Sequence, residues 1–349
     1  MRSKIIAKNP NYNRTAKIAR KFMISQSIDK LPVNPFEIAC ENNWKIEKTS
    51  VVAKDINVSV YHLLNHMIKT KDGVAIFCPA TDEYSILYND KIKSRGRIRW
   101  TMTHEIGHII LKHHNYKRTI ISRGDLDKNG YDVLEKEADF FASLILAPPI
   151  VLHNLNVKSP KKIQNICHLS KEASVNRFNY YMRWKNFIQI PEEQIIKENF
   201  HSFIYQQKCN NCGHSFISEN ATYCPICGEM IEWGNGKMKY REFVELAENG
   251  RALICPLCEN EDISEEDVYC KICGATLYQE CTHKCDVNLD SNARYCTQCG
   301  GRTTFFEANY LDDWKKEKKE ILSGDETNEI AKEVASTKLD IDDDFDVPF

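Results

Sequence analysis

No apolar run in these 349 residues is long enough to cross a bilayer. The longest, 140–152, is interrupted by Ser143, Pro148 and Pro149 and falls well short of the roughly 20 residues that a spanning helix needs. The opening residues, Met1-Arg2-Ser3-Lys4-Ile5-Ile6-Ala7-Lys8, are basic but lack the apolar stretch and small-residue cleavage site of a secretory signal. A soluble, cytoplasmic protein is therefore expected. Net charge is also nearly missing, at -2, yet it is unevenly held: residues 1–200 carry 32 Lys/Arg against 20 Asp/Glu, and residues 201–349 carry 15 against 29. Halves of opposite sign imply separate partners or mutual attraction.

Cysteine is what the chain has in excess. Twelve of its 15 lie between 209 and 299 as closely spaced pairs, and in a reducing compartment such spacing reads as zinc rather than disulfide. Cys209-x2-Cys212 with Cys224-x2-Cys227, and Cys255-x2-Cys258 with Cys270-x2-Cys273, are each separated by eleven residues. Cys281-x3-Cys285 with Cys296-x2-Cys299 forms a looser third unit, with His283 a bystander. Four thiolates close a tetrahedral site, so these three zincs are expected to be structural. The units end on internal repeats: Tyr223-Cys224-Pro225-Ile226-Cys227-Gly228, Tyr269-Cys270-Lys271-Ile272-Cys273-Gly274 and Tyr295-Cys296-Thr297-Gln298-Cys299-Gly300. Residues 209–301 hold 7 Lys/Arg against 15 Asp/Glu, which disfavours direct nucleic-acid binding and favours protein contact or a structural spacer. The isolated Cys40, Cys78 and Cys167 read as small buried side chains.

Periodicity places a basic amphipathic helix at 13–28 and a short helix at 36–41. A strand at 44–47 and a hairpin from 74–77 and 85–88 follow. Helices are then expected at about 97–113, 133–146 (ended by Pro148-Pro149), 160–167 and 171–184. The last two resemble a helix-turn-helix with Arg177 on its second helix; packing or substrate docking is favoured over reading DNA. A helix over 237–249 closed by Gly250 is also expected, as is a charged helix over 310–322 before an acidic tail too polar to order itself.

The helix at 97–113 carries His104-Glu105-Ile106-Gly107-His108. Residues four apart share a helix face, so both imidazoles can reach one Zn²⁺, with Glu105 beside them to take a proton from metal-activated water. A third ligand is offered by Glu135, which shares a face with Ala138, Asp139 and Ala142; the alanines permit close approach, and Asp139 can bond a ligand histidine from behind. Glu137 projects from another face and ranks a distant second. His114 has the offset of a metzincin third ligand, but Leu111 stands where that motif needs glycine, so His113 and His114 are assigned to the helix end.

These residues resemble those of the ImmA/IrrE-type metallopeptidases over roughly the first 190 positions. The likeness takes in Pro32-Val33-Asn34-Pro35-Phe36-Glu37-Ile38-Ala39, the hairpin, 99–108, and 135–142 followed by Leu144-Ile145-Leu146-Ala147-Pro148. It implies a gluzincin-like enzyme in which Glu135 is the third ligand, acting on a helix-turn-helix repressor. The cysteine-rich half departs from the family's pattern. The chain's end, Asp340-Ile341-Asp342-Asp343-Asp344-Phe345-Asp346-Val347-Pro348-Phe349, resembles the acidic tip of bacterial single-stranded-DNA-binding proteins, implying a partner that docks Phe349.

The expectation is an α+β chain: a mainly helical gluzincin-like metallopeptidase domain with a small sheet over 1–200, three zinc ribbons over 201–301 (209–227, 255–273, 281–299), and a charged helix with a disordered acidic tail over 302–349. One catalytic and three structural zincs are expected, in a zinc endopeptidase that cuts a regulatory protein. No residue presents itself as an oxyanion donor, which keeps open the alternative of a non-catalytic zinc-scaffolded adaptor or transcription regulator.

Overall fold

A computed structural model describes residues 9–115, 128–185 and 190–323. The acidic tip and Phe349 lie outside the described residues. The chain divides into two compact units at Ile204/Tyr205. Among the described residues no helix is long and apolar enough to cross a membrane.

In the first unit, α1 (Tyr12–Ser25) starts where the Asn11 side chain accepts from Arg14 N–H, and buries Thr15, Ala19, Phe22 and Met23 along one stripe. The short α2 (Pro35–Glu41) is capped by Asn34. Strands β1 (Lys45–Lys48), β2 (Gly73–Cys78) and β3 (Glu83–Tyr88) form one sheet in the order β1-β3-β2, with β1 parallel and β2 antiparallel to β3. Between β1 and β2 run α3 (Thr49–Asp55), α4 (Val60–His62) and a π-helical turn, 63–67. Asp90 fastens the start of α3: its carboxylate accepts from Ser50 N–H, Ser50 Oγ and Thr49 Oγ1 at 2.9, 2.7 and 3.1 Å.

Against this sheet lies α5 (Arg95–Ile110), and against α5 lies α6 (Lys128–Leu146). Their contact is close because Gly107 has no side chain: a Cβ there would stand 3.1 Å from the Phe141 ring and 3.3 Å from Ala138 backbone. Ala138, Phe141, Ala142 and Ile145 are fully buried, as are Met102 and Ile106. Pro149 then opens α7 (Pro149–Asn154), followed by α8 (Pro160–Cys167), α9 (Lys171–Trp184), α10 (Pro191–Asn199) and α11 (His201–Ile204). Both helices expected at 160–184 are found at those bounds. Arg177 is not a surface reader, however; it is buried, with Nε donating to Ala147 O at 2.7 Å and its guanidinium over the Tyr180 ring. Cys167 is buried as expected, but Cys40 and Cys78 are exposed, because each sits near the end of a short outer element.

The second unit joins β4 (Gln206–Lys208), β5 (Ser215–Ile217) and β6 (Glu232–Trp233) in the order β5-β4-β6. Three of its small cores are centred on the cysteines, and another, around Ala252, Phe305 and Leu311, holds none. The helix expected over 237–249 is absent; the segment is irregular apart from isolated bridges at Met238 and Leu246. Its apolar residues serve two cores rather than one helix face: Met238 and Tyr240 join the first ribbon, while Phe243, Val244 and Leu246 pack around Ala252, Phe305 and Leu311. Gly250, at φ +79°, turns the chain between bridged Leu246 and Ala252. Beyond residue 301 the packing continues through α12 (Thr304–Glu307) and a helix over 314–323, whose Trp314 and Ile321 rest on the first ribbon.

Candidate metal centre

Helix α5 presents His104 and His108 one turn apart, and α6 brings Glu135 to meet them. His104 Nε2 lies 3.0 Å from His108 Nε2; Glu135 Oε2 is 3.4 Å from the first and Oε1 is 3.3 Å from the second. Nitrogen and oxygen ligands placed tetrahedrally at zinc distances stand roughly 3.3 Å apart, so the three side chains bring their ligand atoms to the separations of one coordination shell. Each imidazole also has its second nitrogen engaged. His104 Nδ1 meets Asp139 Oδ1 at 2.9 Å, and His108 Nδ1 meets His113 Nδ1 at 2.9 Å. With a divalent cation bound, both Nδ1 atoms would donate outward, to Asp139 and His113, and the two Nε2 lone pairs and a Glu135 oxygen would be left to hold it, a donor set that fits such an ion.

Without a cation, the three side chains and Glu105 shift one another's titration. Burial pushes His108 down to about 3, keeping its ring neutral. Glu135 is opposed by burial, but its hydrogen bonds to His104 and His108 outweigh that and hold its carboxyl well below the usual range. His104 is likewise opposed by burial and drawn well upward by Asp139 and Glu135. Glu105 is buried, which raises it to about 7 against the lowering effect of His104. Its Oε2 accepts from Ala75 N–H of β2 at 2.7 Å, so the edge strand fixes the carboxyl beside the histidine pair.

Behind His108 lies a relay that the sequence did not disclose. Helix α5 ends at Ile110, and Lys112 at φ +59° reverses the chain, so His113 and His114 do not sit at a helix terminus as expected; both return into the interior and are buried. His113 Nε2 is 3.3 Å from Glu137 Oε2, and Glu137 Oε1 accepts from Asn11 N–H at 2.7 Å, with Arg14 at 3.7 Å. Glu137 is therefore no alternative ligand but the anchor of His113. His114 Nε2 donates to Ala75 O at 3.0 Å, well engaged away from the metal triad, so no three-histidine site forms. Lys112 is the hidden element here: nothing in its side chain signals a left-handed residue.

The twelve clustered cysteines assemble as the three expected groups of four. Sulfur pairs in them stand 3.4–3.7 Å apart, close to the roughly 3.8 Å edge of a tetrahedral zinc-thiolate site. His283 lies outside the third group, but its Nδ1 is 3.5 Å from Cys299 Sγ.

Residues 53–197 match the family model of the IrrE N-terminal-like domain. The match spans His104, Glu105, His108, Glu135 and Asp139, supports the ImmA/IrrE family for this part of the chain, and supports a metallopeptidase-family function. It begins after α2, so the 32–39 segment lies outside it. No curated protein matches the chain.

Proposed function

We propose that the chain is a zinc-dependent endopeptidase that cuts a regulatory protein, such as a helix-turn-helix repressor. The observation that carries this reading is the convergence of His104, His108 and Glu135 on one point, with the buried Glu105 carboxyl held beside it by Ala75. Zinc held by these three residues would acidify a water molecule and polarise a peptide carbonyl. Glu105 accepts the proton of the attacking water and delivers it to the departing amine. The Ala75 N–H keeps one Glu105 oxygen engaged, leaving the other for that transfer. Asp139 and His113 orient the two rings. The thiolate groups, with four ligands each, serve as structural sites.

The test is coexpression with a helix-turn-helix regulator encoded nearby, comparing wild type with Glu105→Gln. The substitution keeps the size of the side chain and the zinc ligands. Cleavage by wild type and at least a ~100-fold slower rate in the variant are expected, the typical worth of a positioned acid-base group. Equal cleavage by both proteins would refute the role of Glu105.

A further inference from the structure

The three Tyr-Cys-x-x-Cys-Gly repeats are copies in structure as well as in sequence. Tyr223, Tyr269 and Tyr295 bridge Met230, Thr276 and Arg302 in the same way. The next cysteine N–H donates to the carbonyl five residues on, from Cys224 to Glu229, Cys270 to Ala275 and Cys296 to Gly301. The closing glycines take φ of +76°, +74° and +70°.

The first and third copies are paired with each other. Thr222 and Tyr223 N–H donate to Thr297 O at 2.8 and 2.9 Å, and Arg294 and Tyr295 N–H donate to Pro225 O at 2.7 and 2.9 Å. Donors and acceptor occupy the same repeat positions in both directions, so the contact is two-fold. Each tyrosine ring also lies over the other copy's glycine: a Cβ at Gly228 would meet Tyr295 at 2.9 Å, and one at Gly300 would meet Tyr223 at 3.2 Å.

The second copy presents the same face uncovered. Val268 N–H, Tyr269 N–H and Lys271 O, its equivalent donors and acceptor, have no hydrogen-bond partner among the described residues. Nothing lies within 4 Å of a Cβ at Gly274. Tyr269 is 64% exposed and Ile272 68%, with Leu257 and Val268 exposed as well, whereas Tyr223 and Tyr295 are half-buried. The Lys271 ammonium beside this face is paired with Asp262.

We propose that the second ribbon pairs with the second ribbon of another copy of this chain about a two-fold axis. The contact repeats the one that the first and third ribbons make within a chain. A face that is complementary to its own copy closes a symmetric dimer, and the unpaired backbone groups gain the partners that the repeat provides elsewhere.

Sedimentation equilibrium of the zinc-loaded full chain tests this. The mass should move with concentration from 40.5 kDa towards twice that value. The double variant Tyr269→Ala/Ile272→Glu should stay at 40.5 kDa with its zinc content unchanged. A wild type that is monomeric at every concentration overturns the proposal, and so does a variant that dimerises as well as wild type. Should the variant lose zinc, Tyr269→p-benzoylphenylalanine in an equal mixture of light- and heavy-isotope chains decides. Photoadducts joining light to heavy chains near residue 274 support the pairing, and adducts confined to one chain, including those to 324–349, overturn it.

Discussion

His113 shows how the candidate metal centre is held together by side chains outside the His104, His108 and Glu135 group. Its Nδ1 lies 2.9 Å from His108 Nδ1, and Glu137 holds its other nitrogen. Removing such a partner typically costs 10–100-fold in metal affinity, so His113→Ala should weaken zinc at the His104/His108 site by roughly that factor in chelator competition. The cysteine groups should be unaffected. Equal affinity in the two proteins would show that His108 needs no such support. Glu135 and Asp139 were legible because they share a helix face with two alanines. His113 and Glu137 were not, because their meeting depends on a left-handed backbone at Lys112 and on Asn11, 126 residues from Glu137.

Between elements, the α5/α6 contact turns on Gly107. Alanine is the better helix former by about 1 kcal/mol, yet its methyl would press on Ala138 backbone, which cannot swing aside. Gly107→Ala is therefore expected to destabilise the first unit by about 1–3 kcal/mol, the usual cost of overpacking, seen as a lower unfolding temperature; a stabilised variant would contradict this packing. The Asp90 clamp on α3 carries a pH signature. Burial alone would raise the Asp90 carboxyl, but its hydrogen bonds from Ser50 and Thr49 outweigh that and lower it. A depressed carboxylate stabilises fully above its unfolded value near ~3.9, and that stability is lost as pH falls through the lower folded value. The stability gap between wild type and Asp90→Asn should thus be constant at neutral pH and close only in acid; a gap that closes near neutrality would contradict it. Most helices were legible from apolar spacing and proline, as at 160–167 and 171–184. The segment 237–249 misled because Met238 and Tyr240 answer to one ribbon core and Phe243 to Leu246 to another, a division that periodicity does not encode.

At the scale of the molecule, one unit has a conventional apolar core and the other has small cores centred on cysteine. The first buries Met102, Ile106, Phe141 and Ile145 completely. The second builds three of its small cores on groups of four cysteines, and ribbons of that kind fold with their metal. A strong chelator should therefore unfold 205–323 while α5 and α6 stay protected from proteolysis; loss of both together would contradict separate sources of stability. The cysteine spacing made this division readable, whereas the pairing of the first and third ribbons rests on backbone groups of Thr297 and Pro225 that no side chain announces.

The most direct measurement is zinc stoichiometry by elemental analysis of wild type, Glu105→Gln and the double variant His104→Ala/Glu135→Ala. Among the described residues there are four groups of candidate ligands, three of cysteine and one of His104, His108 and Glu135. Four zincs per chain are expected in wild type and in Glu105→Gln, and three in the double variant. Three zincs in all of them would mean that the histidine-glutamate cluster holds no zinc, and the account of the site would fail.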